Sequence, residues 1–294
     1  MASRHFFKRH QGRASYDLFS SYSYFLPDLK GMIMLLVMAG VGTLLGNLMI
    51  LCLTLAFSLQ FAETYGLVIS YPLMFIPPMI YASYQSRKTE IWGELEGIPD
   101  GGIHLDSNRF GTIGGFKLAL IVSVATLAAA FIAEPVSLLL PEMPEKWQKA
   151  MEMLTEGPLW ITLISVSVFA PFFEEWLCRG LVLRGMLQKL NPFSAIAVSA
   201  AFFAVLHMNP WQAIPAFLLG LLFGYVYYKT GSLKLTMLMH CVNNTFAALL
   251  TRIPSLSDAE SFMDIMSPWA YACIFVACVL IVCSSLVIIR GIKD

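Results

Sequence analysis

Eight stretches of this chain are apolar for about the 20 residues that a helix needs to cross bilayer hydrocarbon: residues 32–58, 65–83, 117–140, 158–177, 193–209, 212–228, 233–251 and 268–289. No other feature constrains the fold as strongly. In lipid the backbone must satisfy its own hydrogen bonds, so each run reads as a helix. With 57% hydrophobic and 13% charged residues and a mean hydropathy of +0.69, the chain lies outside the range of soluble globular domains. The expected class is all-α: a polytopic membrane protein of about eight transmembrane helices, with the lipid bilayer as its surroundings and no nucleic-acid partner.

Orientation follows from the basic residues, which collect on the cytoplasmic side of membrane proteins. With the N-terminus inside, sixteen of the 19 Lys and Arg fall in or beside inner segments, and only Lys146, Lys149 and Arg252 fall outside. Both termini are therefore expected to be cytoplasmic. Residues 1–31 read as a basic N-terminal arm carrying Arg4, Lys8, Arg9 and Arg13. Residues 32–294 read as one membrane domain, and the first apolar run is too long for a signal-peptide core. The six cysteines lie in or beside apolar runs and lack the paired spacing of disulfide or zinc motifs.

Charge inside a bilayer costs roughly 2.5–3.5 kcal/mol per residue on insertion scales, so an intramembrane carboxylate is a functional candidate. The segment APFFEEWLCRG, 170–180, holds two. On a helix Glu175 and Arg179 are four residues apart and share a face, so they can neutralise one another as a structural pair. Glu174 points about 100° away and is left uncommitted. Two further constellations follow: Phe203 with His207, and His240 with Asn244, each spaced i, i+4. Two helical side chains at that spacing can address one ion or one water. Each has a bland alternative, since His and Asn also bridge helices in lipid and Phe203 suits packing. As a set they stand out. His5, His10 and His104 lie elsewhere, while His207, His240, Glu174 and Glu175 all fall within expected helices of the core at about 158–251.

At these residues the chain resembles the CPBP family of intramembrane proteases, which groups type II CAAX prenyl endopeptidases with bacteriocin-processing and Abi-like proteins. EExxxR is Glu174 to Arg179, FxxxH is Phe203 to His207, and HxxxN is His240 to Asn244. The resemblance implies an endopeptidase acting on a membrane-associated or prenylated protein or peptide. It further implies Glu174 as general base, His207 and His240 holding the water directly or through a zinc ion, and Asn244 steadying the oxyanion. Glu175, Arg179 and Phe203 would be structural support. A bacterial inner membrane is the expected location. HExxH, GxGD and GxSxG are absent. The rival readings are a proton-coupled transporter and a non-catalytic immunity or scaffold protein.

The expected boundaries create one conflict. Glu174 would sit near the inner end of its helix, whereas His207, fifteen residues beyond Pro192, would lie about 22 Å deep.

Overall fold

The computed structural model describes residues 19–96, 102–137, 139–155, 157–253 and 261–292. Among them are helices α1 (Leu29–Ala56), α2 (Leu59–Leu95), α3 (Gly115–Ser137), α4 (Glu145–Thr155), α5 (Leu159–Met186), α6 (Pro192–Leu206), α7 (Pro210–Thr230), α8 (Leu233–Leu250) and α9 (Pro268–Arg290). No strand occurs among the described residues. Each of the eight apolar runs is helical, and α4 is an additional amphipathic segment.

Among the described residues six helices are long and apolar enough to cross a membrane: α1, α2, α3, α5, α7 and α9. The sequence reading counted α6 and α8 as well. The first has 15 residues, and the second carries Lys234, His240, Asn243 and Asn244 within 18. Both pack against other helices, and Ser199 of α6 and Thr236 and His240 of α8 are buried in protein, while Lys234 at the start of α8 stays exposed. They do not need the continuous apolar surface that a lipid-facing span requires.

Boundaries moved for a related reason. The fourth run was expected to end at 177, yet α5 continues to Met186 through Arg179 and Arg184, both fully buried. These two arginines therefore belong to the helix interior rather than to an inner loop. Arg184 is held by carbonyl oxygens: it donates to Tyr22 O at 2.8 Å, Phe25 O at 2.7 Å, Ser23 O at 3.3 Å and Ile103 O. It thereby ties the segment ahead of α1 to the loop ahead of α3. Phe19 and Phe25 enter the core, although the sequence reading placed them in the basic arm. Arg4, Lys8, Arg9 and Arg13 of that arm lie outside the described residues.

The helices approach closely where side chains are small. A Cβ on Gly42 of α1 would lie 1.7 Å from the carbonyl oxygen of Met74 in α2, and one on Gly46 would lie 2.6 Å from Met74 Cγ. Glycine at these two positions lets the α1–α2 hairpin close. The turn from α7 to α8 needs Gly231, whose φ is +63° and whose missing Cβ makes room for Ser107 O. The loop at 105–109 docks there. Ser107 N–H donates to Gly231 O at 2.8 Å, Tyr227 Oη to Leu105 O at 2.7 Å, and Leu233 N–H to Asp106 Oδ1 at 2.8 Å.

Candidate active site

The site is assembled on α5, whose backbone departs twice from α-helical pairing. Residues Leu163–Phe169 and Trp176–Leu183 form wide turns in which Ala170 N–H reaches Ser165 O and Arg184 N–H reaches Arg179 O, five residues back. Pro171 lies between them and has no N–H to give. Wide turns of this kind recur at functional sites. Here they flank the short α-helical piece Ala170–Glu175 that carries both glutamates.

Glu175 and Arg179 are both fully buried, and Arg179 Nη1 donates to Glu175 Oε1 at 2.8 Å. Removal of two charges from water demands that their remaining valences be met. Arg179 Nη2 donates to Gly220 O of α7 at 3.1 Å, where the lack of a side chain leaves the guanidinium room. The guanidinium also lies over the rings of Phe203, at 4.7 Å, and Phe223, at 5.4 Å, each a favourable cation–π placement. Phe203 thus supports the arginine from α6.

Glu175 has a second partner that helical spacing did not disclose. His240 Nδ1 of α8 donates to the same Oε1 at 3.1 Å. A carboxylate only accepts, so this bond places the ring proton on Nδ1 and leaves the Nε2 lone pair free in the neutral ring. Nε2 faces Glu174 Oε2 at 3.9 Å. That oxygen is buried and without a hydrogen-bond partner, while its twin Oε1 accepts from Tyr71 Oη of α2 at 2.5 Å.

His207 caps the C-terminal end of α6, with Nδ1 at 2.9 Å from Phe203 O. The carbonyl can only accept, which again puts the proton on Nδ1. Phe203 presents its ring near both histidines, 4.9 Å from His207 and 5.4 Å from His240, close to perpendicular in each case. Asn244 donates from Nδ2 to Val166 O at 2.7 Å, inside the first wide turn of α5, and its Oδ1 accepts from Asn243 at 3.1 Å.

The conflict of depths dissolves once α5 has its full length. Glu174 stands twelve residues before Met186, about 18 Å from that end, close to the depth of His207 along α6. Tyr71 and Val166 O were absent from the sequence reading. Tyr71 belongs to no motif and lies 103 residues before Glu174, and its hydroxyl is one of several in the second apolar run, beside those of Tyr65, Ser70, Tyr81 and Ser83. A backbone carbonyl has no sequence signature.

A catalytic zinc ion takes three protein ligands and leaves one position open. Among the described residues, no group of three or more His, Cys, Asp or Glu side chains is placed to hold a metal ion.

The arrangement is that of an all-helical integral membrane protein with a buried carboxylate–imidazole centre shared by α2, α5, α6 and α8. Residues 156–246 match the family model of the type II CAAX prenyl endopeptidase, Rce1-like. The chain is 24% identical over 110 residues to "Putative membrane peptidase YdiL" of Bacillus subtilis (strain 168), a match covering 37% of this chain and 44% of that protein. The aligned region thus spans less than half of the relative. No solved structure matches the chain. The segment that carries the three motifs is thus similar to the type II CAAX prenyl endopeptidases, the group that the CPBP resemblance includes.

Proposed function

We propose that the protein is an intramembrane endopeptidase in which Glu174 activates a water held against His240. The observation that carries this reading is the 3.9 Å gap between Glu174 Oε2 and His240 Nε2. Both atoms are acceptors, given the proton on Nδ1, so a single water held by donating to each would sit beside the gap. In the reaction Glu174 takes one proton as the water oxygen bonds to the scissile carbonyl carbon. Collapse of the tetrahedral adduct breaks the C–N bond, and Glu174 returns the proton to the departing amine. Asn244 keeps one amide N–H beyond the one given to Val166 O, and that donor is assigned to the oxyanion. His207 keeps Nε2 for the same water or for the substrate. The substrate is a membrane-associated or prenylated protein or peptide, and the location is a bacterial inner membrane.

The test compares protein termini in membranes holding wild type or Glu174→Gln. Gln is nearly isosteric and cannot take the proton, so peptides cut in wild type should remain whole while the variant accumulates normally. Equal cleavage by the purified variant would overturn the reading. Stoichiometric zinc in wild type that is lost in His240→Ala would overturn the metal-free form of it.

A further inference from the structure

We propose that Tyr71 is a positioning residue for the reaction, acting from α2 through Glu174; this rests on the endopeptidase reading. Tyr71 lies outside the residues that match the family model and belongs to none of the three motifs. Its hydroxyl donates to Oε1 of Glu174 at 2.5 Å. The two oxygens of this carboxylate are thereby made unequal: Oε1 is committed, and Oε2 is buried, unpartnered and turned to His240 Nε2.

That inequality requires an external restraint. The terminal torsion of a glutamate is broad and nearly two-fold, so the side chain alone does not choose which oxygen faces the histidine. His240 has no such freedom, because Glu175 and Arg179 hold it from behind. Tyr71 supplies the matching restraint on the base. The five side chains form one line, Arg179–Glu175–His240 on one side of the gap and Glu174–Tyr71 on the other, so that the reacting water has a fixed seat.

The position of Tyr71 is itself determined by packing. Its ring stacks on Phe75 at 5.7 Å, one turn along α2, and Phe75 stacks at 4.9 Å on Phe173, the residue before Glu174. This aromatic ladder joins α2 to α5 at the level of the base. The glycines that seat α1 on α2 contact Met74, within the same turn of helix. A hydroxyl that only satisfied a buried carboxylate would not need to leave the other oxygen bare.

The experiment is Tyr71→Phe, which removes the hydroxyl and keeps the ladder. With the peptide whose cleavage depends on Glu174, kcat should fall about 10- to 100-fold, the size expected for one hydrogen bond to a charged group. KM and membrane level should be unchanged, and the melting temperature should stay well above the assay temperature. In a Glu174→Gln background the same substitution should cause no further loss. A second measurement needs no substrate: the infrared carboxylate band of Glu174, isolated by subtracting the Glu174→Gln spectrum in each background, should shift in Tyr71→Phe. Unchanged kcat would overturn the proposal, as would a loss of activity explained by lower stability. If no Glu174-dependent cleavage is found, the endopeptidase reading fails, and an unshifted band then removes the role of Tyr71 independently.

Discussion

Helices α5 and α9 are both long enough to cross a membrane, but their surroundings are opposite. In the most apolar window of α5, 56% of residues are buried inside the protein, against 11% for α9. The buried helix is the more polar of the two. It encloses Thr162, Ser165, Ser167, Glu175, Arg179 and Arg184, while α9 turns Val276, Leu280 and Val287 outward. In water, burial selects for apolar side chains. In lipid the outside is already apolar, so polar groups are kept where protein partners can satisfy them. A substitution on α5 should therefore be costly, and one on α9 should cost little.

The largest expected difference is functional. Glu174→Gln should remove proteolysis, whereas Leu280→Ala, on the outer face of α9, should leave activity and stability within about 0.5 kcal/mol of wild type; terminus mapping and thermal unfolding in detergent check the two. Tyr71→Phe should come next, with the kcat loss stated above, and would show that the polar centre extends to α2.

Arg179→Ala probes the centre through stability. It leaves the Glu175 carboxylate buried without its cation, a loss of about 3–5 kcal/mol for a broken buried pair. Adding Glu175→Gln should restore folding. Activity should stay low, because the carboxylate that holds His240 Nδ1 is then gone. Recovery of both in the double variant would confine Glu175 to pairing with Arg179.

Gly42→Ala tests the close helix contact and should destabilise by about 1–3 kcal/mol, as overpacking does. Gly40→Ala, where an added Cβ meets nothing within 4 Å, should not. The smallest effect is expected at Asp28, the N-cap of α1. The Gly31 N–H it accepts holds its carboxyl below the ordinary value, with a smaller opposing effect of burial and a further lowering by Lys189. A lowered folded-state value contributes stability above the unfolded value, and that contribution is lost as pH falls through the folded one. The difference in melting temperature between wild type and Asp28→Asn should accordingly be slight at neutral pH and vanish in acid.

What was legible in the sequence follows the same division. The eight apolar runs were recognisable as helices because hydropathy is a local property. The facing of Glu175 and Arg179 was recognisable because one helix turn is local too. Helix ends were harder. The end of α5 was misplaced by nine residues because Arg179 and Arg184 look like loop residues until their partners are known. The second run, taken as 65–83, extends over Leu59–Leu95, since polar residues near an end do not stop a helix that runs beyond the hydrocarbon.

By itself the sequence determined the class of the protein, the carboxylates and histidines of its core and the pairing of Glu175 with Arg179 on α5. Tertiary structure alone decided that Glu175 serves two partners, that Tyr71 restrains one oxygen of Glu174, and that the other oxygen lies 3.9 Å from His240. These contacts join residues 65 to 103 positions apart. Helix periodicity relates side chains only over a few turns, and the packing of α2, α5 and α8 sets which of their faces meet.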